Sequence, residues 1–176
     1  SLGSAVTALP VLKDALSLFV ANACAKLRKQ NSQAALIQVF LQTNRFRQDQ
    51  PQYMPSLAVP LPQPTNDSRV IYRWASHLVR RMYKPAYAYK KAGVVLSDIS
   101  PVTQWQHDWL EPSVDTASSL ADNPSSRLMQ AIDGLNQRFG KGAVKISTQG
   151  TFAQWQMKQE RKSPCYTTAW SEIPAA

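Results

Sequence analysis

Apolar residues recur along this chain with two different periods. Leu12, Leu16, Phe19, Val20, Ala23 and Leu27 follow the three-and-four spacing of a helix with one buried face, while Lys13, Asn22, Lys26 and Lys29 fall on the other side. Pro10 suits a first turn, so the helix is predicted from there to about Gln30. From Ala34 to Asn44 the period drops to two, which predicts a strand: Ala35, Ile37, Val39 and Leu41 on one face, Gln38, Gln42 and Asn44 on the other, Leu36 and Phe40 between the polar ones. The polar stretch from Thr43 to Pro51 reads as a loop or wide hairpin. Tyr53 to Leu61 returns as a second strand, which Pro55 and Pro60 confine to an edge or interrupt. Thr65-Asn66-Asp67 supplies caps for a helix that buries Val70, Ile71, Trp74, Leu78 and Met82 and carries Arg69, Arg73, Arg80 and Lys84 as an outer stripe. The stripe reads first as a solvated face, and His77, on the same helix, as a structural residue. Tyr87 to Asp98 alternates again, with Ala88, Ala92, Val94 and Leu96 facing the core and Tyr87, Tyr89, Lys91, Gly93 and Val95 facing out.

With a short extended piece at residues 2–7, the order is strand, helix, strand, strand, helix, strand. That is an α+β, ferredoxin-like β-α-β-β-α-β arrangement over residues 1–99. Two helices on one sheet face leave the other open, and the register places Gln38, Gln42, Tyr89 and Lys91 on it. Amides, a phenol and an ammonium can hydrogen-bond phosphates without reading base sequence.

After residue 99 the composition shifts to Pro, Ser, Asp, Thr and Gln, and residues 100–124 read as a linker. Within it, Gln104-Trp105-Gln106-His107-Asp108-Trp109-Leu110 places two tryptophans where no core of their own exists, so they are expected to anchor in a groove. Residues 125–176 form a small α/β module: a helix from Arg127 to Phe139 with Leu128, Met129, Ile132 and Leu135 apolar, Gly140 and Gly142 as punctuation, and a strand at Val144 to Ser147. A unit of that size has little core and is expected to dock on something.

Charge sharpens the division. The net charge of +9 separates into +4 over residues 1–50, +5 over 51–100, −4 over 101–124, where no Lys or Arg occurs, and +4 over 125–176. Two basic modules flank an acidic connector, a segregation that suits a polyanionic partner. No apolar run approaches the roughly 18 residues of a membrane span. Cys24 and Cys165 lie far apart without ligands at metal spacing, so a disulfide framework and zinc are both disfavoured, Cys24 reads as a packing residue, and a reduced cytosolic setting fits. Catalytic patterns are scarce as well: the carboxylates form no metal-holding pair, Gly140-Lys141-Gly142 lacks the phosphate-cradling pattern, and no nucleophile–base set is visible. The chain is expected not to be an enzyme by itself. It opens on Ser1-Leu2-Gly3 without a methionine, which suggests a piece of something longer.

Several stretches, taken in order, resemble a known family. Ser1-Leu2-Gly3 with Val6-Thr7, Ala23 to Arg28, Val39 to Phe46, Pro64 to Arg69 and Tyr89 to Asp98 resemble the little-finger domain of UmuC-like Y-family DNA polymerases, the group that includes the catalytic subunit of DNA polymerase V and plasmid- or element-borne homologues. Leu128 to Asn136, Trp155 to Lys158 and Ser163-Pro164-Cys165-Tyr166-Thr167-Thr168 resemble that family's C-terminal extension. The resemblance implies the DNA-gripping and partner-docking region of an error-prone translesion polymerase, active in SOS mutagenesis. Its catalytic palm and the carboxylates that hold magnesium would lie outside this chain, and no cofactor is expected here. It also implies basic backbone contacts at Lys90 and Lys91, with Tyr89, Gln38, Gln42, Asn44, Arg45 and Arg47 as further DNA-binding candidates. Val95 departs from relatives that carry a basic residue there. Gln106, His107, Asp108, Trp109 and Leu110 sit where the family has its sliding-clamp motif; Gln106 and Asp108 fit it, whereas His107, Trp109 and Leu110 depart from it. Implied partners are primer-template DNA, a sliding clamp, a processed UmuD-type subunit and a RecA-type filament, with no membrane, in the cytoplasm of a bacterium at the nucleoid.

Two other readings use the same residues. In one, the chain is a protein-interaction module whose basic faces meet acidic partners and touch DNA incidentally. In the other it is a free-standing RNA-binding domain, for which only Tyr87, Tyr89 and Phe40 could stack on bases and the expected aromatic signature is missing.

Overall fold

The computed structural model describes residues 1–102, 124–140, 142–146 and 155–157. Helix α1 (Leu9–Lys29) starts with Pro10 in its first turn and buries Leu12, Ala15, Leu16, Val20, Cys24 and Leu27. It ends in a turn through Asn31, whose φ of 52° asparagine tolerates better than most residues. Strands β1 (Ser32–Thr43) and β2 (Ser56–Thr65) follow, then helix α2 (Ser68–Met82), strand β3 (Tyr89–Pro101) and helix α3 (Pro124–Phe139). Asp67 caps α2 by accepting from the Arg69 N–H at 2.7 Å, a contact of about 1 kcal/mol.

The expected α+β class and the alternation of helices and strands hold. The sheet order is β2-β1-β3 with all named pairs antiparallel, so β1 is bonded on both edges. The N-terminal strand is reduced to a bridge: the Val6 and Tyr89 amides exchange hydrogen bonds at 2.8 Å, and the Leu2 N–H donates to the Lys90 carbonyl at 3.0 Å. Helices α1 and α2 cover one face of the sheet. Between them and the sheet lie Leu16, Val20, Ile37, Val39, Ile71 and Leu78, all at most 1% exposed.

Some expected boundaries and burials shift. The second strand runs Ser56–Thr65 rather than from Tyr53 to Leu61; it is the edge strand its prolines require. The pairing with β2 is irregular between Ala34 and Leu36, where β2 carries the extra residues, and at this irregular stretch Ala34 is buried in place of Ala35. Val70 and Trp74 remain half-buried because α2 meets the core through Ile71, Ala75, Val79 and Met82. Residues 144–146 form no strand: Asn136 of α3 donates to the Val144 carbonyl at 3.0 Å and accepts from its N–H at 2.9 Å, which takes both backbone groups a ladder would use. Cys24 is fully buried, and burial pushes its thiol up to about 11, as a packing residue should behave.

The C-terminal module docks at two places. Arg28, near the end of α1, forms a bidentate ion pair with Asp133 of α3 at 2.5 and 2.8 Å, and its remaining nitrogen donates to the Asn66 carbonyl and the Ser68 hydroxyl. Ser125 of α3 adds a hydrogen bond to Asp67 and accepts one from Arg69. At the far end, Trp155 is 5% exposed and packs edge-on against Phe19 with centroids 5.4 Å apart. Its carbonyl accepts from the Gly3 N–H at 2.7 Å, and a Cβ on Gly3 would lie 2.2 Å from the Gln156 carbonyl oxygen, so only glycine fits there.

Asp133→Ala leaves Arg28, whose side chain is 12% exposed, with an unmatched charge. The expected loss is about 1–2 kcal/mol, read as a lower urea midpoint at unchanged slope; an unaltered midpoint would mean that the clasp contributes nothing. Burial raises the Asp67 carboxyl, but the bonds from Arg69 and Ser125 outweigh it and hold the group below its ordinary 3.8. Its contribution is therefore full above that value and disappears as pH falls below it. Asp67→Asn should flatten the acid limb of a stability–pH curve and leave the shape near neutrality unchanged.

Candidate nucleic-acid interface

The sheet face turned away from the helices is uncovered by any described residue. Register sets its rows: Pro60, Leu36 and Ser97; then Ala58, Gln38 and Val95; then Ser56, Phe40 and Gly93; and finally Gln42 with Lys91. Phe40 lies flat over Gly93, where a Cβ would meet the ring at 2.3 Å, so the glycine leaves room for an aromatic plate at the middle of the face. Gln38 donates to the Ser56 hydroxyl at 2.8 Å and is thereby held in one orientation. Lys91 is exposed beside Gln42 at the end of the face, and Val95, at 42% exposure, is the apolar side chain that stands out from it.

Tyr89 is not on this face. A register shift between Gln42 and Thr43 leaves Lys90 without a partner on β1, so Thr43 pairs with Tyr89 and both turn inward. The Tyr89 side chain is fully buried; its hydroxyl accepts from the Lys84 N–H at 2.9 Å and donates to the Lys84 carbonyl at 3.2 Å, and burial raises its pKa. The ring belongs to an aromatic group with Tyr53, Tyr83 and Tyr87 that closes this end of the core. Tyr87 precedes β3 and is half-buried against Tyr53. Strict alternation from Tyr87 onward cannot register one bulged residue, and the whole expected face before Lys91 is inverted by it.

The bulge also redirects Lys90. Its ammonium donates to the Gly3 carbonyl at 2.8 Å, along the edge where the N-terminal segment joins β3. Of the two lysines, Lys91 is the one on the open face.

Asn44, Arg45 and Arg47 lie at the end of β1 in a loop that is itself ordered. Gln52 donates to the carbonyls of Asn44, Arg47 and Gln50 at 2.9–3.2 Å, and the Asn44 side chain accepts from the Phe46 N–H. Arg47 is engaged by Asp49 at 2.9 and 3.0 Å, which holds the aspartate below the usual carboxylate range. Arg45 is exposed without such a partner among the described residues. Between the arginines stands Phe46, 86% exposed. The polar composition of the loop hides this residue, and an aromatic between two arginines is the sequence signal that marks it. Gln106, His107, Asp108, Trp109 and Leu110 lie outside the described residues. Among the described residues no three His, Cys, Asp or Glu side chains converge as metal ligands would, and no helix is long and apolar enough to cross a membrane.

Residues 1–109 match the impB/mucB/samB family C-terminal domain, and residues 126–176 match a domain of unknown function, DUF4113. The chain is 34% identical over 179 residues to Protein ImpB of Salmonella typhimurium, covering 100% of this chain and 40% of that protein. It is also 34% identical over 173 residues to Protein UmuC of Salmonella typhimurium strain LT2, covering 98% of this chain and 40% of the relative. Protein MucB of Escherichia coli is 34% identical over 176 residues, covering 100% and 40%. The chain thus spans about 40% of the length of these relatives.

Tyr89→Phe is expected to lower stability by about 1 kcal/mol through the lost hydroxyl bonds while leaving duplex DNA affinity as it was. A selective loss of affinity at unchanged stability would return the ring to the binding face.

Proposed function

The chain belongs to the impB/mucB/samB family, whose C-terminal domain its residues 1–109 form, and from that premise we propose that it is the DNA-gripping part of a translesion DNA polymerase. The observation that carries the reading is the open sheet face itself. It ends in an exposed Lys91 beside Gln42, holds Gln38 in a fixed orientation, and continues into an ordered loop with Arg45 and Phe46. A flat face on which Gln38, Gln42 and Lys91 stand among apolar residues, with Phe40 as an aromatic plate at its middle, suits backbone contact along a duplex and leaves base sequence unread. Bond making would belong to the part of the longer protein that holds magnesium. Residues 106–110 would dock a sliding clamp by seating Trp109 and Leu110 in an apolar pocket, and a processed UmuD-type subunit and a RecA-type filament are the further partners of this reading.

The overall charge of +9 favours nucleic acid over a purely protein-binding module, and the burial of Tyr89 removes an aromatic that the RNA-binding reading needed.

Fluorescence anisotropy of the 176-residue chain on a primer-template duplex tests the grip. Lys91→Ala should weaken binding several-fold at low salt and reduce the slope of log affinity against log salt by about 0.9, the value of one duplex phosphate contact. Lys90→Ala should do less, because its ammonium is already bonded to Gly3. Unchanged affinity of Lys91→Ala at low salt removes the sheet face from the interface. For the clamp, Trp109→Ala with Leu110→Ala should abolish co-elution with the ring and leave duplex affinity unchanged; a surviving complex places that contact elsewhere.

A further inference from the structure

Helix α2 packs on the sheet through one side, and its opposite side is not a plain solvated surface. Arg69, Tyr72, Arg73, Ser76, His77 and Arg80, together with Ile146, enclose an open groove of about 490 Å³. Ile146 comes from the C-terminal module: Asn136 pins the neighbouring Val144 to α3, and the Arg28–Asp133 pair pins α3 to the start of α2. The C-terminal module therefore supplies one wall of the groove.

Its lining is basic. Arg73, His77 and Arg80 are exposed, and no ion pair involves them among the described residues. Lys13 of α1 lies close enough to Arg80 that burial and that guanidinium together lower its pKa, which places a further cation at the same end. The acids in this neighbourhood are Asp67, which holds Arg69, and Asp14, whose charge is felt at Tyr72. With a rise of about 1.5 Å per residue, Arg69 and Arg73 stand about 6 Å apart along the axis, and Arg73 and Arg80 about 10.5 Å apart.

We propose that this groove binds the sugar-phosphate backbone of a single nucleic-acid strand. A phosphodiester chain presents an anion at every residue and can satisfy cations strung along one line whatever its sequence. An acidic peptide would need carboxylates placed to match. Guanidinium groups suit phosphate through paired N–H donors, and the half-buried Tyr72 lines the groove beside them. The concave shape admits one backbone, whereas the sheet on the other side of the helices offers the broad surface a duplex needs. The site is separate from that proposed for the duplex and does not depend on it.

The test uses the 176-residue chain and a fluorescein-labelled 12-mer of oligodeoxythymidylate, read by anisotropy at several salt concentrations. Arg73→Ala with Arg80→Ala should weaken binding about ten-fold or more at low salt and reduce the salt slope by about 1.4, two single-strand phosphate contacts at about 0.7 each. Lys29→Ala with Arg81→Ala removes the same charge outside the groove and should change affinity by about two-fold or less, as expected when the removed cations make no direct contact. Equal losses in both pairs, or none in the first, overturn the proposal. If polyglutamate of matched charge displaces the oligonucleotide at equal or lower concentration, the ligand is an acidic peptide and the proposal also fails. Duplex affinity of the same variants and of Lys91→Ala is measured alongside. Loss of the Lys91 effect with the groove effect intact would sink only the sheet-face reading, and the reverse would sink only the groove.

Discussion

β1 is hydrogen-bonded along both edges, and the register of its bonds to β3 decides which side of the molecule each later residue can serve. From Ser32 against Pro101 to Gln42 against Lys91 that register is unbroken. One further residue, Lys90, has no place in it. Because it is passed over, Thr43 and Tyr89 both turn into the core, Lys90 reaches the N-terminal segment, and the N-terminal strand can bridge to Tyr89. Had β3 kept strict alternation, a phenol would lie on the sheet surface and the cluster of tyrosines closing the core would lose its central ring.

Much of this arrangement was legible in the chain. The period of Leu12, Leu16, Val20 and Leu27 fixed α1, the cap at Asp67 fixed the start of α2, and Ile37, Val39 and Leu41 named the buried side of β1. What was missed has a common physical origin: bulges. Periodicity assigns faces only while each residue on one strand has one partner on the next, so the faces of Ala34 and Tyr89 were both misassigned at irregular pairings. The lost strand at Val144 had another cause, since Asn136, eight residues upstream, took the backbone groups a ladder would have used. Nor does spacing reveal that Arg28 reaches Asp133; that contact depends on where α3 returns in space.

The C-terminal module is held by unlike means at its two contacts. Near α3 the link is a charged fork, geometrically selective, around an arginine whose guanidinium is bonded on every nitrogen. Near Trp155 it is a buried ring and a backbone bond that tolerates no side chain on Gly3. The domain of unknown function thus shares a surface with the family's C-terminal domain, and Ile146 beside the arginines of α2 is a direct product of that union.

The prolines of β2 have a consequence beyond placing that strand at the edge. The Leu41 and Thr43 amides donate to the carbonyls of Pro55 and Tyr53, so the odd-numbered residues of this strand point their backbone groups at β1 and the even-numbered ones point outward. Pro60 is one of the latter, and it has no N–H to offer. A strand from a second molecule approaching the rim would find the ladder broken there. Edge-to-edge pairing is thus interrupted at Pro60 on the β2 rim, while the opposite rim, β3, is met by the N-terminal segment at Tyr89 and Lys90.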